Sequence, residues 1–311
     1  MSFKIIGLGE VLWDLLPDGP QLGGAPTNFA YHANTLGAQA LVITRVGSDY
    51  LGREIFSRFK DLDLRATMIQ TDDEVPTGTV AVTLNGNGVP HFIINENVAW
   101  DRLVVTPQAL EAARNADAIC FGSLAQRDQR SRATIQQLVA ATPSGALRVF
   151  DINLRQKFYS REVIEQSLRL ANVIKLNDSE LPILADMFGL SKSPQQQIED
   201  LAKAFELRLA VLTRGPQGSS LYERGRWSEQ PAPAVTVVDT VGAGDSFTAA
   251  LVVGLLSGMD LDEIHALAAE VAGYVCGHVG ATPVLSQSLR SKFIKIKRHD
   301  RNAPNNAMAK V

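Results

Sequence analysis

The chain has 311 residues, 45% of them apolar and 20% charged, and a formal net charge of −3. These are ordinary values for a globular protein with room for one large core. They exclude a basic field for nucleic acid, and the longest apolar run, Ala249–Leu256, falls far short of the roughly 20 residues of a membrane helix. The opening MSFKIIGLGE breaks at Gly9-Glu10 too early for a secretory leader, and Cys120 and Cys276 sit in apolar segments, as buried free thiols do. A cytoplasmic protein is therefore expected.

Read in chain order, short apolar strands alternate with helical patterns. Lys4–Leu8 reads as a strand, Val11–Leu22 as an extended segment, Thr27–Leu36 as a helix, Ala40–Val46 as a strand and Leu51–Leu62 as a helix. From Ala66 to Asp101 the alternation stops. Thr67–Gln70, Gly78–Leu84 and His91–Ile94 are strand patterns with no helix between them, and Asn85-Gly86-Asn87-Gly88 is a hairpin signal. Strands then resume at Ala118–Phe121, Arg148–Phe150, Val173–Leu176 and Ala210–Thr213. The helices among them are Gln129–Ala140, Ser160–Ala171, Ser179–Phe188 and Pro194–Phe205. Near-continuous apolar strands separated by helices predict an α/β fold, doubly wound, with a mostly parallel sheet covered on both faces. Residues of about 11–22 and 66–101 are read as a small β-sheet lid on a domain spanning 1–293. The polar stretch 294–311 is read as a disordered tail. A second copy of the chain is expected to cover the outer face of the lid.

The most informative stretch is Asp239–Val252, DTVGAGDSFTAALV. Gly242, Ala243 and Gly244 can bring backbone N–H groups close to an anion, and Phe247, Leu251, Val252 and Leu255 fall at helical spacing immediately after. A helix N-terminus is a ready phosphate site, yet Asp245 stands inside it. A carboxylate there repels phosphate unless it serves as a general base, taking a proton from a hydroxyl that attacks the phosphoryl group the amides hold.

Other constellations fall at strand ends or helix starts. Gly23-Gly24-Ala25-Pro26-Thr27-Asn28 opens the first helix and reads either as a sugar-hydroxyl site or as a turn with a cap. Asp14, between Trp13 and Leu15, is a carboxylate in apolar company. Asp151-Ile152-Asn153-Leu154-Arg155 follows a strand, where open α/β sheets place ligands; Arg155 reads as a stabiliser of negative charge or as an ion-pair partner of Asp151. Asn177 and Glu180 have capping-box spacing, and equally suit a sparse oxygen set beside a hydrated Mg²⁺. Thr213, Gly215 and Gly218 shape a loop against which a nucleotide could lie, or a plain hairpin. Gly7-Leu8-Gly9 lacks the third glycine of a dinucleotide fingerprint, no P-loop occurs, and the five histidines show neither zinc nor triad spacing.

Together these motifs resemble the PfkB (ribokinase-like) family of sugar and nucleoside kinases, from Phe3 to about Ser286. Asp239–Val252 matches that family's C-terminal signature, and Gly23–Gly52 its N-terminal one, including Val46-Gly47-x-Asp49-x-x-Gly52. The resemblance implies a ribokinase-like fold with ATP and Mg²⁺ as cofactors and a small-molecule sugar as substrate. It makes Asp245 the base and Gly242, Ala243 and Gly244 the anion hole, with Arg155 assisting. Asp14, Gly23, Gly24, Asn28, Phe92 and Asn153 would hold the sugar; Asn177, Thr213, Gly215 and Gly218 the nucleotide; Asn177 and Glu180 the magnesium, through water. Asp239 matches a position associated with a monovalent cation such as K⁺, the remaining ligands coming from backbone near Gly280. Ile152 departs from the family's usual proline without touching a functional position.

Within the family, GEVLWDLLP, GGAPTNFAYH and DINLR look most like fructokinases, which implies D-fructose to fructose 6-phosphate; the homodimer expectation comes from the outer face of the lid. The 2-keto-3-deoxygluconate kinases share much of the pattern, and His91 or Arg102 could meet a sugar acid. A regulatory sugar- or nucleotide-binding protein on the same fold is the reading from another class. It would be favoured by loss of the base or the anion-hole glycines, and all are present.

Overall fold

The computed structural model describes residues 2–17, 19–84, 90–191 and 193–299, with the side chains of 82–84, 90–92 and 294–299 left out of the description. Thirteen strands and ten α-helices follow one another among the described residues. They begin β1 (Lys4–Leu8), β2 (Leu12–Leu16), β3 (Gly19–Gly23), α1 (Ala25–Thr35), β4 (Gln39–Gly47), α2 (Tyr50–Asp61), β5 (Ile69–Asp72), β6 (Thr79–Leu84) and β7 (Pro90–Ile94). Next come α3 (Pro107–Arg114), β8 (Ala118–Phe121), α4 (Gln129–Ala140), β9 (Leu147–Asp151), α5 (Arg161–Leu170), β10 (Val173–Asn177), α6 (Leu181–Phe188) and α7 (Pro194–Ala204). The chain closes with β11 (Leu209–Thr213), β12 (Ser219–Glu223), β13 (Arg226–Gln230), α8 (Ala243–Leu256), α9 (Leu261–Cys276) and α10 (Gln287–His299).

Nine strands form one sheet in the order β13-β12-β11-β10-β9-β8-β1-β4-β5, parallel from β11 to β5, with β12 and β13 antiparallel at one edge. The chain leaves β1 toward β4 on one side and later builds outward from β8 on the other. The order therefore reverses beside β1, and the carboxyl ends of β1, β9, β10 and β11 share one edge, where open α/β sheets bind ligands. Alternate side chains feed two cores. Ile5 and Val42 join Phe29, Phe59, Phe247 and Leu251 under α1, α2, α8 and α9, while Ile6 and Ile43 join Trp100, Phe121 and Phe150 under the helices of the other face. Helix α8 is buried on all sides from Ser246 to Gly254, packed between α1 and α9, so its apolar content shows little periodicity.

A separate four-stranded sheet has the order β3-β2-β6-β7, and its strand β3 leads directly into α1. It is mixed: β2 pairs antiparallel with β3 but parallel with β6. The run Thr67–Gln70, expected with this small sheet, instead contributes to β5, which pairs with β4 at the edge of the main sheet. Its alternation fits either sheet, and the register Thr44↔Ile69 decides. The hairpin signal Asn85–Gly88 lies outside the described residues. Where the chain returns from the small sheet, Arg127 lies over the Trp100 ring at 3.9 Å, donates to Asp101 at 2.8 and 2.9 Å and caps the Asn95 carbonyl at 2.6 Å. Helix α10 runs past Phe293 to His299, and 300–311 lie outside the described residues. Both cysteines are free thiols, Cys120 buried and Cys276 half-buried, and no helix among the described residues is long and apolar enough to cross a membrane.

Asp49 shows how the signature around Gly47–Gly52 acts structurally. It caps α2 by accepting from the Gly52 N–H at 2.8 Å, and it accepts from the Thr77 N–H at 2.8 Å and the Thr77 hydroxyl at 2.7 Å, tying α2 to the strand that enters the small sheet. Burial acts to raise its carboxyl, but the hydrogen bonds from Thr77 and Gly52 outweigh this and hold it below the ordinary value. A depressed carboxyl stabilises the fold above its unfolded pKa and loses that contribution as pH falls through the folded one. Asp49→Ala is expected to lower unfolding free energy by about 2 kcal/mol. Denaturant titration at neutral pH checks this, and the gap to wild type should narrow on acidification.

Candidate active site

Residue Gly242 takes the left-handed conformation, φ 78°, and starts α8. A side chain there would begin 2.6 Å from the Ala281 carbonyl, so only glycine fits the turn. The opposing loop is braced from α1: the buried His32 Nε2 bonds the Ala281 carbonyl at 2.9 Å. Burial pushes the His32 imidazole down to about 4, so it is neutral and its Nε2–H is the donor. The first turn of α8 leaves backbone N–H groups without intrahelical partners. The Ala243 N–H makes only a long 3.3 Å bond to the Thr240 carbonyl within that turn.

Asp245 lies in this first turn and accepts from Asn28 Nδ2 at 2.9 Å. That bond joins α8 to α1, the helix opened by Gly23-Gly24. Burial and then the like charge of Asp151 push the Asp245 carboxyl up to about 6, against the opposing effects of Lys175, the Asn28 hydrogen bond and Arg155. Asp14, on β2, stands beside the glycine turn, its Oδ2 2.6 Å from where a Gly23 side chain would begin. Burial raises its carboxyl too, and Arg155 opposes that. The structure thus gathers Asp14, Gly23, Gly24, Asn28 and Asp245 on one side. Asn153 is half-buried at the end of β9 with φ 45°, and Phe92 falls where no side chain is described.

On the other side of the turn lies a cavity of about 680 Å³. Thr213, Gly215 and Gly218 line it together with Ala243 and Gly244, and its deep wall is apolar, including Phe247 and Ala272. The Thr213–Ser219 loop is a hairpin between β11 and β12, and its residues Thr213, Gly215 and Gly218 line this cavity. Beneath it, the buried His265 bonds the hydroxyls of Ser219 at 2.8 Å and Ser228 at 2.9 Å.

Asn177 and Glu180 make a reciprocal box. Asn177 Oδ1 accepts from the Glu180 N–H at 2.9 Å, and Glu180 accepts from the Asn177 and Leu154 N–H groups, both at 2.8 Å. Burial, then Asp151, raises the Glu180 carboxyl. Among the described residues no group of three or more His, Cys, Asp or Glu could hold a metal unaided. The donors here are hard oxygens already engaged by backbone, which fits a hydrated Mg²⁺ carried mainly by phosphate oxygens. Asp239 accepts from the Val241 N–H at 3.0 Å and the Gly280 N–H at 2.9 Å, bringing together the two points expected to flank a monovalent cation.

The alternative ion pair between Arg155 and Asp151 does not form. Arg155 is exposed, with Nη1 on the Leu154 carbonyl at 3.1 Å, and Asp151 pairs with Lys175 at 3.0 and 3.1 Å. Lys175 and the buried Glu10, whose carboxyl burial pushes up to about 7, are the site groups that sequence reasoning missed. A signal existed for Lys175: a charge within an apolar strand of a parallel sheet covered on both faces needs a partner.

Residues 20–288 match the pfkB family carbohydrate kinase profile. The chain belongs to the pfkB family of carbohydrate kinases. As such it is a phosphotransferase acting on an alcohol group. It is 32% identical to a fructokinase of Klebsiella pneumoniae, over 91% of this chain and 94% of the relative. A fructokinase of Escherichia coli is 30% identical, over 85% and 88% respectively. Among solved structures, an uncharacterized sugar kinase of Pyrococcus horikoshii in complex with ATP superposes with a TM-score of 0.77 at 28% identity, covering 89% of this pfkB kinase and 94% of that chain.

The glycine turn gives a direct test. Gly242→Ala places a methyl against the Ala281 backbone at a positive φ, for a strain of about 1–3 kcal/mol. A lower melting temperature is expected, and a kcat reduced on the order of 100-fold if displacement of this turn misplaces amides that hold the transferred phosphoryl group. Differential scanning fluorimetry and steady-state kinetics check both.

Proposed function

We propose that this pfkB kinase is an ATP-dependent fructokinase, transferring the γ-phosphoryl group of ATP to the terminal hydroxyl of D-fructose to give fructose 6-phosphate. The observation that carries the reading is the Asn28–Asp245 hydrogen bond. It joins the helix opened by the Gly23-Gly24 turn to the Asp245 carboxylate, next in chain to Ala243 and Gly244, which line the cavity we assign to the nucleotide. Fructose as the acceptor is supported by the fructokinases to which the chain is similar over most of its length.

In this mechanism Asn28 and Asp14 orient the sugar, and Asp245 takes the proton of its terminal hydroxyl as that oxygen attacks the γ-phosphorus and the bond to ADP breaks. The first-turn amides around Gly242–Gly244 receive the charge that develops on the equatorial oxygens. Thr213, Gly215 and Gly218 hold the nucleotide, and Arg155 adds a positive field at the open side. Magnesium bound near Asn177 and Glu180 would neutralise the phosphate oxygens. Asp239 and backbone near Gly280 would hold a monovalent cation, which would add positive charge behind the anion-binding turn. The small sheet covers the sugar, and its exposed Leu15 and Ile93 offer an apolar face to a second copy of the chain.

A coupled ADP-release assay across D-fructose, 2-keto-3-deoxygluconate, ribose and nucleosides tests the proposal. Fructose should give the highest kcat/KM, whereas preference for the sugar acid would replace the fructokinase reading. In the same assay Asp245→Asn is expected to lose on the order of 10³-fold in kcat while calorimetry still detects sugar and nucleotide binding. Near-normal turnover of that variant would remove Asp245 from the role of base.

A further inference from the structure

Lys175 is a lysine inside β10, a strand flanked by parallel neighbours and covered on both faces. Its ammonium is buried and donates to both oxygens of the equally buried Asp151, at 3.1 and 3.0 Å. The Thr248 hydroxyl, on α8, donates to the Gly244 carbonyl at 2.9 Å and lies 3.3 Å from Asp151 Oδ2, so the pair sits against the helix that carries the base. A side chain at Gly244 would begin 2.8 Å from Lys175 Nζ and 3.6 Å from its Cε. The charge therefore rests against the Gly244 backbone, in the turn that presents Asp245.

A buried ion pair is seldom a net source of stability, because desolvating two charges offsets most of their attraction. Its position gives a better reason for it. Asp151, Asp245 and Glu180 all attract the Lys175 ammonium. Without Lys175 these three carboxylates would meet an incoming triphosphate with no buried cation beside them, Arg155 being exposed at the open side.

We propose that Lys175 is a positioning residue of phosphoryl transfer: its buried ammonium, fixed by Asp151 against Gly244, keeps a permanent positive charge beside the base and behind the anion hole. The proposal rests on the reading of Asp245 as base and Gly242–Gly244 as anion hole. The ammonium touches neither sugar nor phosphate. It favours the ionised form of Asp245 and strengthens the attraction of the turn for the phosphoryl group as charge develops.

Lys175→Met alone strands Asp151 in the interior and is expected to destabilise the fold. The informative comparison is Lys175→Met/Asp151→Asn against Asp151→Asn, with melting temperature, kcat, KM for sugar and ATP, and the pH dependence of kcat/KM measured on each. The double variant is expected to melt within a few degrees of the single. Its kcat should be lower on the order of 100-fold with sugar KM little changed, and its acid limb should move to higher pH. Equal kcat and an unmoved limb in the two proteins would make Lys175 a structural partner of Asp151 and overturn the proposal. Failure of the underlying reading shows separately, as near-normal turnover of Asp245→Asn in the intact lysine background.

Discussion

A carboxylate in the first turn of a buried helix is the constraint around which the structure is arranged. Asp245 shares its turn with amides suited to an anion, and it cannot serve both an anion site and its own charge unless its surroundings are controlled. Asn28 holds one oxygen from α1, while Lys175 balances the neighbouring Asp151 from below. Burial leaves the carboxyl poised at about 6, in the range where a group can be ionised at neutral pH and still accept a proton.

The supports extend outward from that turn. His32 reaches from α1 to the Ala281 carbonyl, and Asp239 reaches from the entry of the turn to Gly280. Residue Gly242 is thus held between a helix packed on both sides and a loop pinned at two places. Burial of α8 against α1 and α9 supplies the rigidity, and the parallel sheet supplies the shared edge that brings β9, β10 and β11 to the same place. Histidines that showed no catalytic spacing in the sequence prove to be braces: His265 does under the cavity what His32 does beside the turn.

Much of this was legible from residues alone. Strand and helix alternation indicated the doubly wound sheet, and β1 and β8 have the expected bounds. The conflict between Asp245 and its glycine turn is visible in the sequence itself. What could not be read was pairing between distant segments. The strand at Ile69–Asp72 alternates as a lid strand would, and only its register with β4 assigns it to the main sheet. Arg155 looked like the neighbour of Asp151 because it is four residues away, whereas Lys175, a strand later, is the partner in space. Helix α9 and the edge strands β12 and β13 also went unread, since the first is apolar on most sides and the others are short and polar.

The central claim is that ionised Asp245 accepts the proton in phosphoryl transfer. The pH dependence of kcat/KM for D-fructose, measured at constant ionic strength with saturating magnesium and ATP, tests it most directly. Activity is expected to rise through a single ionisation near 6 and level off above it, with that limb lost in the residual activity of Asp245→Asn. An acid limb that survives unchanged in Asp245→Asn would contradict it.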